Sequence, residues 1–229
     1  MSLMLHTEIL PPAQRRLWVE LGSVPGSFAL YGGTALALRL GHRNSIDFDF
    51  FSCRDLDLPG LETQVPFLRD ARVTQRERNT LSVIVERGGP VKVSFFGVPA
   101  LPRLVQPSWA EEAGIQVASL LDLAGTKASV VQVRAESKDY LDIDALITQG
   151  GVGLPAALSA AQGLYGPTFN PQITLKSLSY FDDGDLQRLP ADVRHRLVHA
   201  AREVDLDNLP DVSKLVKQMS RDHGHDTAR

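Results

Sequence analysis

Polar and apolar residues alternate most cleanly in two short stretches. Ile46-Asp47-Phe48-Asp49-Phe50 separates apolar from acidic side chains, and Val91-Lys92-Val93-Ser94-Phe95-Phe96 sets Lys92 and Ser94 apart from its valines. A period of two marks a half-buried strand, so Ile46, Phe48 and Phe50 are expected on a core face and Asp47 and Asp49 on the other. Phe28-Ala29-Leu30-Tyr31 reads as a third strand. Residues 71–77 and 80–87 read as two more, joined by a polar tip at Arg76 to Asn79. Apolar residues recur at helical spacing over 13–21, 55–69, 120–134, 138–147, 155–164, 171–181 and 190–205. Ser119 and Ser137 stand where helix N-caps are needed. After a proline- and glycine-rich stretch at 97–107 the pattern turns almost wholly helical. The expected fold class is α/β (α+β): a small mixed sheet with flanking helices over 1–105, then a helical region over 106–229. A tail without order is expected after Ser220.

The chemistry concentrates between the first strand and the acidic one. Gly32-Gly33 breaks the strand, and glycine lets another group approach the main chain closely. Thr34 is placed to cap a helix over Ala35 to Leu40, which Gly41 would stop. Free N–H groups at such a helix start suit phosphate. Asp47 and Asp49, at i and i+2 on a strand, lie about 6.5–7 Å apart at the backbone. Their oxygens can converge on one cation or bracket a pair. Arg43, just before the acids, could reach a triphosphate or an RNA backbone. The plain alternatives are an ordinary turn, a solvated acidic face and a surface arginine.

The ordered set Gly32-Gly33-Thr34 followed by Asp47-Phe48-Asp49-Phe50-Phe51 resembles the signature of the nucleotidyltransferase superfamily, in particular its AbiEii/AbiGii branch, which includes toxins of type IV toxin–antitoxin systems. The strand VKVSFF, the helix SLLDLAGTKASVV and the segment SKDYLDIDALI match as well, so the resemblance spans roughly residues 25 to 150. It implies a nucleotidyltransferase-like mixed sheet. It implies transfer of a nucleoside monophosphate from a nucleoside triphosphate to an acceptor hydroxyl, with RNA as a candidate acceptor and a cognate antitoxin as a partner. Asp47 and Asp49 would hold Mg²⁺ or Mn²⁺. Gly32, Gly33, Thr34 and Arg43 would bind the nucleotide. Lys127 would face the triphosphate, and Asp139, in the KDYxD pattern, would serve the site. The family's third carboxylate aligns with Ser94, which cannot ionise and ligates hard cations poorly. Asp55, Glu86 or Asp139 could substitute for it. Otherwise the enzyme works with one well-held metal and a base supplied elsewhere, or the chain is a nucleotide-binding module with weak or lost catalysis.

Composition narrows this little further. A net charge of -3 gives no global attraction to nucleic acid. Arg194, Arg196, Arg202, Lys214, Lys217 and Arg221 could form a local basic face for RNA or simply a solvated one. The single cysteine, Cys53, forbids an internal disulfide, and a reducing, cytoplasmic setting is expected. No apolar run is long enough to span a bilayer, so no membrane partner is expected.

Overall fold

The computed structural model describes residues 3–224, which fall into two compact units. One runs through Pro102 and takes in Gln106–Ala118; the other holds Arg103–Val105 and the described chain from Ser119 onward.

The first unit is built on a seven-stranded sheet. Its strands are β1 (Phe28–Tyr31), β2 (Asp47–Ser52), β3 (Arg72–Glu77), β4 (Thr80–Glu86), β5 (Pro90–Gly97), β6 (Ser108–Ala110) and β7 (Ile115–Val117), in the order β3-β4-β5-β2-β1-β7-β6. β2 runs antiparallel to β1 and parallel to β5, so the sheet is mixed, as expected. Its helices are α1 (Pro12–Trp18), α2 (Gly32–Leu40) and α3 (Leu58–Gln64). Phe48, Phe50 and Phe95 are fully buried on one face. Phe50 stacks on Phe95 at 5.4 Å between ring centroids, and Trp18 of α1 lies 6.1 Å from Phe48. Each such ring contributes roughly 1.5–3 kcal/mol through burial. This aromatic core fixes which way β2 faces, and thereby aims Asp47 and Asp49 at the opposite side.

Four local readings differ from the pattern. Ile46 is 66% exposed, because β2 starts one residue later and Ile46 still belongs to the loop. The helix expected over 55–69 is only α3, with Pro66 opening a separate 3-10 turn, since proline cannot continue a helical ladder. Thr34 does not cap α2, which starts earlier, at Gly32. β6 and β7 lie in the stretch read as the start of the helical region.

The second unit consists of α4 (Leu120–Val130), α5 (Ser137–Thr148), α6 (Leu154–Tyr165), α7 (Pro171–Ser177), α8 (Ala191–Arg202) and α9 (Val212–Gly224). Ser119 caps α4 by accepting from the Asp122 amide at 3.0 Å. The buried Asp122 carboxylate accepts from the amides of Leu104 and Val105, at 2.9 and 3.0 Å, tying that segment to the helix start. A side chain at Gly125 would come within 2.9 Å of the Ala160 and Ala161 backbone, so glycine there lets α4 and α6 approach closely. Ser137 is not the N-cap of α5; Asp185 closes that end instead, accepting from the Ser137 amide at 2.6 Å and its hydroxyl at 2.9 Å. α9 reaches Gly224, so the tail expected to lack order begins as helix, and its remainder, 225–229, lies outside the described residues. No helix among the described residues is long and apolar enough to cross a membrane.

Candidate active site

β1 ends at Tyr31, and α2 begins at once with Gly32 at φ 72°, a conformation that disfavours any side chain. A Cβ at Gly32 would stand 2.9 Å from the Asp49 Oδ2, and one at Gly33 would overlap the Arg43 Nη2. Both glycines are therefore places where a charged side chain presses on the main chain at the start of a nine-residue helix. The first amides of a helix have no intrahelical acceptor and carry its positive end. Arg43 adds a further positive charge there, opposite to what the dipole alone would favour, while donating to the Asn44 carbonyl at 2.9 Å. The Asp49 carboxylate stands at that positive end.

Thr34 is 1% exposed, and its hydroxyl contacts the Asp47 carbonyl and the Ser45 hydroxyl, the latter at 2.8 Å. With one proton to give, it donates to the carbonyl and accepts from Ser45. Its side chain thus fastens the start of β2 to α2. The residue expected to cap the helix locks the acid strand against it.

Asp47 and Asp49 are both half-buried on one face of β2. Their lateral neighbours follow from register: Lys92 lies beside Asp47, Ser94 beside Asp49, and Tyr31 on Asp49's other side. Ser94 is 1% exposed and meets the Ser82 hydroxyl at 3.2 Å. Of the alternative acids, Asp55 lies past the far end of β2, where it accepts from the Asn79 amide at 2.8 Å, and Glu86 is exposed at the end of β4. No group of three or more His, Cys, Asp or Glu side chains suited to a metal stands among the described residues. Two carboxylates nonetheless fit Mg²⁺, which is commonly held by one or two carboxylates with substrate phosphates and water completing its shell. A cavity of about 220 Å³ opens at the other end of β2, lined in part by Ser52, Arg54 and Asp57. Asp47 and Asp49 lie at the opposite end of the strand.

Lys127, on α4, is buried. Its ammonium lies 2.6 Å from both the Asp139 Oδ1 and the Asp142 Oδ2, and all three side chains are at most 5% exposed. Arg134 donates to Asp139 at 2.7 and 3.0 Å. Burial pushes the Asp139 carboxyl up, but the Arg134 hydrogen bond and the Lys127 charge outweigh it and hold it below the ordinary value. Burial and the Asp139 charge push the neighbouring Tyr140 phenol up to about 12. On α8, Arg196 is bound to Asp144 at 2.7 Å and Asp192 at 2.8 Å, which takes it out of any simple basic face.

The sequence pattern did not single out Lys92 as the neighbour of Asp47, or Arg134 and Asp142 as members of the Lys127–Asp139 cluster. The alternation of β5 already put Lys92 on Ser94's face; what it lacked was the register with β2. Asp142 was visible as the i+3 partner of Asp139, on the same side of α5.

The Nucleotidyl transferase AbiEii toxin family, of type IV toxin–antitoxin systems, matches residues 16–218. An uncharacterized protein of Aquifex aeolicus (strain VF5) is 33% identical over 167 residues, covering 72% of this chain and 78% of that one. Among solved structures, MenT4, a nucleotidyltransferase toxin from Mycobacterium tuberculosis H37Rv, superposes with a TM-score of 0.60 at 14% identity, covering 85% of this chain and 83% of that one. A crystal structure of a candidate nucleotidyltransferase from H. pylori gives 0.52 at 17% identity, covering 89% and 93%. At such identities the two structures speak for the fold.

Proposed function

The chain belongs to the Nucleotidyl transferase AbiEii toxin family of type IV toxin–antitoxin systems, and from that premise we propose that it moves a nucleoside monophosphate from a Mg²⁺–nucleoside triphosphate to an acceptor hydroxyl, releasing pyrophosphate. The observation that carries this reading is the Asp49 carboxylate pressed against Gly32, with Arg43 over Gly33 beside it. The main-chain amides of Gly32, Gly33 and Thr34 would bind the distal phosphates, and Arg43 would balance their charge. Asp47 and Asp49 would hold the cation, whose chemistry when bound is to neutralise charge on the phosphoryl oxygens. The Thr34 hydroxyl keeps β2 in place so that both acids stay on the phosphate side. Lys92, beside Asp47 in register, is a second cation available to the substrate. In the helical unit, Asp139 and Asp142 hold the Lys127 ammonium in a buried ion cluster. The acceptor is proposed to be RNA, and the partner a cognate antitoxin.

A second reading rests on Ser94. A serine closed against Ser82 offers neither a metal ligand nor a base, which favours a module that binds nucleotide and transfers slowly or not at all. Radiolabel transfer from each of the four nucleoside triphosphates to total RNA and to protein separates the two. Transfer that disappears in Asp47→Ala supports the enzyme; binding without transfer supports the module. Ser94→Asp is expected to speed transfer if a missing carboxylate limits the rate, and an unchanged rate would mean another group already does that work.

A further inference from the structure

The acid face of β2 does not end at Asp49. Phe51 follows at i+2 on the same face, and Phe96 lies beside it in register, two residues past Ser94. The two rings are 4.9 Å apart between centroids at 38°, and Tyr31 joins them 5.1 Å from Phe51. Phe51 and Phe96 are half-buried, whereas the aromatic rings of the core face, Phe48, Phe50 and Phe95, are fully buried. The core is thus complete without Phe51 and Phe96, which offer partly open aromatic surface within one pleat of a carboxylate.

β2 accordingly has a chemical polarity along its length. Arg43 precedes its start, the two acids follow with the glycine bend beside them, and the aromatic pair comes last. A nucleoside triphosphate has the same order: polyphosphate, α-phosphate, then ribose and base. The step from Asp49 to Phe51 is about 6.5–7 Å along the strand, a span that one ribose bridges. Bases of every kind stack on aromatic rings, because each has a π-face.

We propose that Phe51 and Phe96 form the platform on which the substrate's nucleobase stacks. The proposal rests on the reading of the acid pair as a metal–triphosphate holder and names the other end of the same ligand. Recognition by stacking is tolerant of base identity, so the four nucleotides should bind within a narrow range of affinity.

The test compares Mg²⁺–nucleoside triphosphates with Mg²⁺–tripolyphosphate, which lacks a base, by calorimetry on wild type, Phe51→Leu and Phe96→Leu. Leucine keeps apolar bulk and removes the π-face. The expected result is a loss of about 5-fold or more for the nucleotides, no change for tripolyphosphate, and recovery in Phe51→Tyr. As an independent measurement, Phe51→Trp should show fluorescence quenching by nucleotide and none by tripolyphosphate. A short single-stranded RNA run against the same variants identifies whose base is stacked: a loss confined to RNA assigns the platform to the acceptor strand. Equal losses for nucleotide and tripolyphosphate, or no loss for nucleotide or RNA, would overturn the platform while leaving the acid site standing. A wild type that binds neither nucleotide nor tripolyphosphate would remove the acid-site reading, and the platform with it.

Discussion

At Gly32 the chain has no room for a side chain, and its backbone has an angle that side chains avoid. At Gly33 the angle is ordinary, and the main obstacle is the flexible end of Arg43, with the Ser45 hydroxyl at 3.3 Å. The two alanine variants should therefore separate. Gly32→Ala should destabilise the fold by about 1–2 kcal/mol and also displace Asp49. Gly33→Ala should melt near the wild-type temperature yet bind Mg²⁺–nucleotide more weakly, because it moves Arg43. Paired thermal melts and nucleotide titrations check both; Gly33→Ala with unaltered affinity would remove Arg43 from the account. Lys127 poses a different problem. Replacing it with alanine leaves the Asp139 and Asp142 carboxylates buried without their shared cation. Removing one partner of a buried pair costs about 3–5 kcal/mol, so the melting temperature of Lys127→Ala should fall by about 6–20 °C. Lost activity in that variant is evidence about chemistry only if the melt is unchanged. The residue types were legible in the sequence, as were the shared faces of Asp47 with Asp49 and of Lys92 with Ser94. The Arg43–Gly33 and Lys127–Asp142 contacts were not, since chain folding and not local pattern makes them.

Elements were legible in proportion to their length and periodicity. β2, β4 and β5 alternate over enough residues to be seen, and α4 to α6 carry helical spacing across several turns. β6 and β7, three residues each, are too short to show any period. Proline marked α3 and its 3-10 turn, but its effect as a break inside the longer apolar pattern was not apparent. The joint between α2 and β2 is the element-scale feature that matters most to the site, and it depends on the Thr34 hydroxyl. Thr34→Val keeps the shape and removes the donor to the part-buried Asp47 carbonyl. It should cost about 1–3 kcal/mol and loosen nucleotide binding as the acid strand drifts from the helix start. Chemical denaturation together with a binding titration tests this. A variant that loses stability but binds normally would show that the joint supports the fold and not the site.

For the whole molecule, pH offers a check on the buried ion cluster. Asp139 has its carboxyl held below the ordinary value of 3.8. Its contribution to stability is therefore fully present above that value and is lost as pH falls through the lowered one. Melting temperature should not vary with pH on account of Asp139 between neutrality and about pH 5 and should fall in stronger acid, with Asp139→Asn flattening that acid limb while starting from a lower plateau. A wild-type curve of the same shape as the variant's would contradict the cluster.

Two carboxylates and a glycine bend are proposed to hold a metal–triphosphate, and calorimetric titration of a nucleoside triphosphate into wild type and Asp47→Ala, with and without Mg²⁺, tests this most directly. Asp47 faces away from the core, so the variant should fold normally. Wild type should bind only when Mg²⁺ is present, and the variant should lose that binding by at least about 10-fold, roughly 1.4 kcal/mol. Equal affinity in the two proteins, or wild-type binding indifferent to Mg²⁺, would contradict it.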